Sequence, residues 1–224
     1  MKMFLKNKNN KKKKKLKILN FKIDKEVLKK IFTYKNLLIF LVSFLIINLI
    51  IGIIFYLHLN DSDKIIINSN ITNYFKVNDS YNYLNIFKNS LINNIGNGLL
   101  IWLLGISVIG IIIVIFIYFS ETFSIGFSIA SIFGAYKTKG IIGLISYLFP
   151  SKLGYLIMLF IIIFHAIRFS SKIIRYLFLK HDIDLRIEFK KYIKILIIII
   201  LIGLTISLFE TFLNPLMNRF FNLF

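Results

Sequence analysis

Residues 37–57 read LLIFLVSFLIINLIIGIIFYL, a stretch that contains no charged side chain. A helix needs about 20 predominantly apolar residues to cross the roughly 30 Å hydrocarbon core of a bilayer, and this stretch is long enough. It is also longer than the apolar region of a secretory signal, and no small-residue cleavage pattern follows it. The sequence therefore predicts a first transmembrane helix that is retained in the mature protein.

Further apolar stretches follow, and together they set the fold class. The chain is 57% hydrophobic, whereas about 45–50% is typical of soluble domains. Long apolar stretches lie at 98–119, 153–169 and 195–213, while 123–136 rises only about 21 Å as a helix. We predict an all-α integral membrane protein with about five transmembrane helices. Residues 140–149 are predicted to form a broken or re-entrant segment between the third and the fourth helix.

Basic residues are concentrated in two blocks, and these predict the topology. Of the 29 Lys and Arg residues, 14 lie in residues 1–36 and 8 in residues 168–194, in a chain with a formal net charge of +19. Because Lys and Arg are enriched in cytoplasmic segments, both blocks are predicted to be cytoplasmic. Four crossings then separate the blocks, and a fifth places the C-terminus outside. Since this charge flanks apolar spans, we predict a lipid bilayer as partner and no nucleic acid.

This topology divides the chain into segments with different surroundings. The Asn-rich segment before the second span contains SYNYLNIFKNSLINNI, which allows an amphipathic helix leading into the membrane. The N-terminal FKIDKEVLKKIF is interpreted either as a solvated tail or as a helix on the inner membrane surface. The predicted segments are a basic cytoplasmic N-terminal segment (1–36), the first transmembrane helix (37–57), an extracytoplasmic loop (58–97), a membrane core (98–169), a basic cytoplasmic loop (170–194), and the last helix with a short extracytoplasmic tail (195–224).

Small residues recur at four-residue spacing in two of the predicted helices. Gly126, Ala130 and Gly134 share one helical face, and Gly203 and Ser207 repeat the arrangement in the last span. Small residues let helix backbones approach closely, which is a common way for helices to associate in lipid. We therefore predict that these five residues serve helix packing rather than ligand binding.

Two glutamates interrupt the apolar pattern. A charge at the bilayer centre costs at least about 2.5–3.5 kcal/mol, so an acid within a span calls for an explanation. Glu121, flanked by Ser120 and Thr122, is predicted to be a polar hinge at the inner boundary between two helices. Glu210 lies toward the outer end of the last predicted span and is predicted to be an interfacial acid.

Residue patterns that carry chemistry are missing from the sequence. The chain has no cysteine, which excludes disulfides and thiolate metal sites. The sequence shows no Ser-His-Asp set, phosphate loop or metal cluster. We predict a non-enzymatic protein without catalytic residues, metal or cofactor.

A series of motifs between residues 86 and 170 carries a resemblance to a known family. The motifs are Phe-Lys-Asn-Ser at 87–90, LIWLLGISVIGI at 100–111, FSIGFSIA at 123–130, Lys-Gly-Ile at 139–141, and Pro150 after an apolar piece. With this pattern and its basic N-terminus, the chain resembles the stage II sporulation protein M family of endospore-forming bacteria. Glu121-Thr122 and Ser151-Lys152 depart from the family pattern, and these departures leave an intramembrane metal or hydrolytic site without its residues.

The resemblance implies a role in engulfment, when the mother-cell membrane migrates around the forespore. It implies a multi-pass scaffold in the septal or engulfing cell membrane that anchors stage II sporulation proteins D and P, which cut peptidoglycan. The residues leave one alternative open, a small transporter or channel component. It would use region 120–152 as a midplane site, with Glu121 or Glu210 as the coupling acid.

Overall fold

Seven α-helices make up the part of the chain that a computed structural model describes, residues 34–75, 81–179 and 184–222. A 3₁₀ turn at Lys137–Lys139 follows the fourth helix, and a π-helical turn at Leu148–Lys152 follows the fifth. No strand occurs in these ranges, so the predicted all-α class is confirmed. The helices are α1 (Lys35–Leu57), α2 (Asp61–Phe75), α3 (Tyr83–Leu104), α4 (Gly110–Tyr136), α5 (Gly140–Tyr147), α6 (Leu153–Leu179) and α7 (Leu185–Asn222).

The chain divides into two units, Met1–Asn36 and Leu37–Phe224, and the second unit holds the helix bundle. Of the first unit only residues 34–36 are described, so the predicted N-terminal stretch FKIDKEVLKKIF lies outside the described residues.

Four stretches of the described chain are long and apolar enough to cross a membrane: Lys35–Leu57, Gly110–Ile145, Leu153–Leu177 and Leu185–Arg219. Their outward surfaces are apolar as well. Ile112 is 72% exposed and Phe116 is 66% exposed, both on α4. Exposed apolar surface of this extent suits lipid rather than water. The protein is therefore an all-α membrane protein, as the sequence predicts.

Contacts between α1 and α4 show that these two helices run parallel. The Tyr118 hydroxyl of α4 donates a hydrogen bond to the Leu41 carbonyl of α1, at 3.1 Å. Further along both helices, the Tyr56 ring of α1 lies against Gly134 of α4. α1 and α4 therefore pass through the bundle in the same direction.

α3 and α6 run in the opposite direction. Ser90 near the start of α3 contacts Glu210 near the end of α7, and Trp102 near the end of α3 stacks on Tyr192 near the start of α7. Ser170 of α6 donates to the Ser107 carbonyl, in the turn between α3 and α4, at 2.9 Å. Within the described residues, α1, α3, α4, α6 and α7 therefore traverse the bundle in alternating directions. α3 is too polar to count among the four apolar stretches.

The predicted boundary between the second and the third span is wrong. The predicted helix 98–119 is divided at 105–109, where α3 ends and α4 begins. α4 then continues without a break through Glu121 to Tyr136, a length of 27 residues. At about 1.5 Å per residue this single helix is long enough to span a bilayer, which the predicted 123–136 is not.

The turn at 105–109 depends on close backbone packing. A Cβ on Gly105 would lie 2.7 Å from the Ala166 Cβ, and a Cβ on Gly110 would lie 2.6 Å from the Leu104 carbonyl carbon. Both glycines therefore stand where a side chain does not fit.

The polar residue Thr122 is accommodated inside α4 because its hydroxyl donates a hydrogen bond to the Tyr118 carbonyl at 2.7 Å.

Polar segments predicted as loops are largely helical. α6 continues to Leu179 and α7 begins at Leu185, so most of the predicted basic loop 170–194 belongs to these two helices. The predicted extracytoplasmic loop 58–97 contains α2 and two thirds of α3, and α3 includes most of the amphipathic segment that the sequence indicates. Charge and polarity end a hydrophobic stretch, but they do not end a helix whose backbone bonds are made internally.

The last helix also passes its predicted end. α7 is 38 residues long and contains Pro215, where the sequence predicts the span to stop.

The predicted segment 140–149 is broken near its end: Phe149, which precedes Pro150, has φ −105° and ψ 132° within the π-helical turn. A residue before proline is disfavoured in the helical region, which accounts for this kink.

α6 lies at the centre of the apolar core. Four of its large apolar side chains are at most 1% exposed, namely Met158, Leu159, Ile162 and Ile163. Around them pack buried residues from α1, α3, α4 and α7, among them Leu41, Ile101, Val114 and Ile199. This core positions the inner faces of α3, α4, α6 and α7, where the polar side chains described next are found.

Candidate functional site

The backbones of α1 and α4 touch at a pair of glycines. A Cβ on Gly126 would lie 2.8 Å from the Leu49 Cα, and a Cβ on Gly52 would lie 2.8 Å from the Phe127 backbone nitrogen. Real Cβ atoms do not approach backbone this closely, so only glycine fits on both sides. The structure thus brings the predicted packing residue Gly126 together with Gly52, a partner that the sequence analysis missed. The four-residue spacing of Asn48, Gly52 and Tyr56 is a signal that could have found it.

The other predicted packing residues also lie at helix contacts. Gly134 packs under the Tyr56 ring, and its Cβ would lie 2.8 Å from the Tyr56 Cζ. Ala130, on the same face of α4, is 9% exposed. On α7, a Cβ on Gly203 would lie 2.9 Å from the Ile95 Cγ1 of α3. That these residues serve helix packing stays a prediction, and the contacts of Gly134 and Gly203 support it between α1 and α4 and between α3 and α7.

A polar cluster joins α3 to α7 inside the bundle. Asn94 is 5% exposed, and its Nδ2 donates to Glu210 Oε2 at 3.0 Å and to Ser207 Oγ at 3.2 Å. Ser90, one turn earlier on α3, donates its hydroxyl to the same Glu210 oxygen. Ser207 in turn donates to the Gly203 carbonyl at 2.8 Å. Glu210 is therefore held from α3 by an amide and a hydroxyl.

A second part of the cluster joins α3 to α4 and α6. Asn97 Nδ2 lies 3.2 Å from Glu121 Oε1 and 3.1 Å from the Tyr155 hydroxyl oxygen, and it donates to both. Tyr155 is 6% exposed, and Asn97 follows Asn94 by three residues on the same side of α3. The two glutamates therefore belong to one polar cluster, defined here as Ser90, Asn94, Asn97, Glu121, Tyr155, Ser207 and Glu210.

The register of α3 places its three cluster residues on one face. Ser90, Asn94 and Asn97 are spaced by four and three residues, which aligns them along one side of a helix. α3 begins at Tyr83, where the Asn82 side chain accepts a hydrogen bond from the Asn85 backbone N–H at 3.1 Å and so caps the helix. The sequence analysis did not assign Ser90, Asn97 or Tyr155 to a site, although this spacing was present in the sequence.

The prediction that Glu121 is a polar hinge is wrong. Glu121 lies in the interior of the continuous helix α4, and its carboxylate faces an amide donor on α3 rather than a helix boundary. The hydropathy pattern breaks at Glu121 because the residue is polar, whereas the backbone does not break, because a neighbouring helix supplies its partner. Glu210 likewise lies within α7, and its placement at the membrane interface stays a prediction.

The chemistry available to the cluster follows from its donors and acceptors. A carboxyl oxygen can accept hydrogen bonds, and in the cluster each glutamate accepts one from an asparagine amide. Each such bond holds α3 to a neighbouring helix. Among the described residues there is no group of three His, Cys, Asp or Glu side chains that could hold a metal ion.

Comparison with known families identifies the chain. The family model described as stage II sporulation protein M matches residues 6–215, which include α1 to α6, most of α7 and the whole polar cluster. The chain belongs to the stage II sporulation protein M family. The resemblance inferred from the motifs is thus confirmed, and the protein is a membrane protein of a sporulation family. The stage II sporulation protein M family is not a known enzyme family.

Two further comparisons give no relatives. A search of curated proteins found no match to this stage II sporulation protein M family member, and a search of solved structures found none either.

Proposed function

We propose that the protein is a multi-pass scaffold of the engulfment complex, which anchors peptidoglycan-degrading partners at the septal or engulfing membrane. The partners proposed are stage II sporulation proteins D and P. The observation that carries the proposal is the family match over residues 6–215, because it extends beyond one motif to α1 through α6 and most of α7.

The packing of the bundle supports a scaffold. α1 and α4 are in backbone contact at Gly52 and Gly126, so their relative position allows little adjustment. α3 is tied to α4, α6 and α7 by side-chain hydrogen bonds of Asn94 and Asn97. A protein that holds partners in place needs such fixed helix positions, whereas alternating access needs helices that move relative to one another.

Co-purification from sporulating cells tests the scaffold directly. We expect a peptidoglycan-cleaving protein to co-elute with the affinity-tagged chain solubilised in mild detergent. An unrelated multi-pass protein with the same tag, expressed in the same cells, controls for nonspecific capture. Recovery of the intact chain without any peptidoglycan-cleaving protein would contradict the proposal.

The proposed topology places α2 outside the cell and the basic ends of α6 and α7 in the cytoplasm. Because the chain has no cysteine, single cysteines report their side without background. Ser69 on α2 and Arg175 on α6 are both exposed. We expect Ser69→Cys to react with a membrane-impermeant maleimide on intact protoplasts, and Arg175→Cys to react only after lysis. The reverse pattern would invert the topology.

A second candidate function is a small membrane transporter or channel component. The observation that favours it is the position of Glu121 and Glu210, whose carboxylates face the polar helix α3 within the bundle. Acids inside a membrane bundle often mark ion or proton pathways. This candidate requires an ionisable group at one of the two positions, whereas the scaffold requires only a hydrogen-bond acceptor.

A further inference from the structure

A cavity of about 120 Å³ opens between α6 and α7, at the end of the bundle near the α3–α4 turn. Arg168 and Lys172 line it from α6, and Glu188 and Lys191 line it from α7. Three of these four charged side chains are basic. Neither the family assignment nor the proposed scaffold role gives this cavity a purpose.

The cavity lies at a boundary between apolar and charged segments. Along α6, Arg168 follows the apolar stretch that begins at Leu153, and along α7, Ile195 begins an apolar stretch. Phe169, Tyr192 and Ile195 also line the cavity, together with His165, so apolar and polar side chains both form its wall. A charged lipid headgroup with its attached hydrocarbon chains combines the same two characters.

A stack of aromatic rings forms part of the apolar lining of the cavity. The Tyr192 ring stacks on Phe169 at a centroid distance of 4.4 Å and on Trp102 of α3 at 5.3 Å. The Tyr192 hydroxyl donates to the Trp102 carbonyl at 2.9 Å, and Trp102 Nε1 donates to the Tyr192 carbonyl at 3.2 Å. Aromatic side chains of this kind are typical of the interface between lipid headgroups and hydrocarbon.

The charged side of the cavity retains unused donors. Glu188 accepts from Lys172 through one oxygen and from Lys191 through the other, at 2.8 Å in the second case. An ammonium group has three N–H donors, so each lysine keeps donors beyond the one given to Glu188. Glu188 thereby holds two ammonium groups at the cavity beside the Arg168 guanidinium, whose planar fork matches the oxygens of a phosphate.

We propose that this cavity binds the phosphate headgroup of an anionic phospholipid, whose acyl chains lie along the apolar surface from Ile195 onward. Basic pockets between membrane helices are suited to such headgroups, because the phosphate meets fixed cations while the chains stay in hydrocarbon. The proposal is independent of the scaffold role, since it concerns what holds the bundle in its membrane.

The single tryptophan of the chain makes the site measurable. Trp102 stacks on Tyr192, which lines the cavity, so bromine atoms on the chains of a bound lipid are expected to quench its fluorescence. The purified chain is placed in phosphatidylcholine nanodiscs that contain increasing amounts of brominated phosphatidylglycerol. A parallel series uses brominated phosphatidylcholine. We expect half-maximal quenching at a clearly lower mole fraction of the anionic lipid, and equal quenching by the two lipids would overturn the proposal.

Matched variants separate a site from a general attraction of positive charge. Arg168→Gln with Lys191→Gln removes two cavity charges, whereas Arg175→Gln with Lys194→Gln removes two charges from the same helices outside the cavity lining. We expect the cavity pair to weaken anionic quenching by about fivefold for each charge removed, with little change in the control pair. Equal weakening by both pairs would show a diffuse positive surface and overturn the site.

Two further arms keep the test decisive. Lys191 is 61% exposed, so Lys191→Gln alone is not expected to affect folding, and it should still weaken anionic quenching. Excess soluble glycerol phosphate is expected to leave the quenching by brominated phosphatidylglycerol unchanged. If it relieves the quenching, the cavity takes a free phosphate and the lipid assignment is wrong.

Discussion

Gly126→Ala is expected to lower the free energy of unfolding by about 1–3 kcal/mol, the range usual for overpacking in a tight interface. The added Cβ would collide with backbone atoms of Leu49 on α1. Backbone atoms, unlike a side chain, cannot avoid the collision by a change of rotamer. α1 and α4 must therefore move apart or bend. Unfolding in mixed micelles with increasing dodecyl sulfate, followed by circular dichroism, measures the effect.

Gly96→Ala is the matched control for this substitution. A Cβ on Gly96 has no neighbour within 4 Å. Because alanine favours a helix over glycine by about 1 kcal/mol, this variant is expected to be as stable as the parent or slightly more stable. If the two variants have the same stability, the backbone contact at Gly126 does not hold α1 to α4. The same comparison in sporulating cells should show failed engulfment for Gly126→Ala alone, if the bundle acts as a scaffold.

Replacement of Glu210 by alanine is expected to cost about 1–3 kcal/mol of stability, because a buried donor is left without its acceptor. Ser90 loses the carboxylate that it bonds, and Asn94 keeps only its serine partners. Glu210→Gln keeps an acceptor oxygen at the same position and should lose less stability than the alanine variant. Unfolding in mixed micelles gives both values, and equal losses for alanine and glutamine would contradict a role in hydrogen bonding.

The glutamine variant also distinguishes the two candidate functions. Glutamine cannot ionise, so a transporter that couples through Glu210 should lose its activity in Glu210→Gln. A scaffold should complete engulfment with this variant, and likewise with Glu121→Gln, because Asn97 still finds an acceptor there. Arrest of engulfment by a stably folded glutamine variant would favour the transporter and contradict the scaffold.

The sequence predicts the polar residues of the cluster only in part, because their partners are distant in the chain. Glu121 and Glu210 stand out because they interrupt apolar stretches, and hydropathy is a property of each residue with its chain neighbours. What each acid does depends on a partner far away in sequence. Asn97 is 24 residues from Glu121, and Asn94 is 116 residues from Glu210. Periodicity along α3 indicates which side chains share a face, but not which helix that face meets.

The error at Glu121 shows how a local pattern misleads. A hydropathy profile places a boundary wherever polar residues interrupt an apolar stretch, and so it divides α4 at 120–122 and joins residues 98–119. In the bundle the polar residues turn inward to partners on other helices. The true turn lies at Gly105 and Gly110, where backbone and side chains of neighbouring segments leave no room for a Cβ.

By itself the sequence determined that the chain is helical and belongs in a bilayer, because apolar content and its period are encoded residue by residue. Its motifs also determined the family. Only the tertiary structure decided that α3, a polar helix, lies against α7, that Gly52 is the partner of Gly126, and that Arg168 and Lys191 line one cavity. These pairings depend on how separate helices pack, and packing is a property of residues distant in the chain.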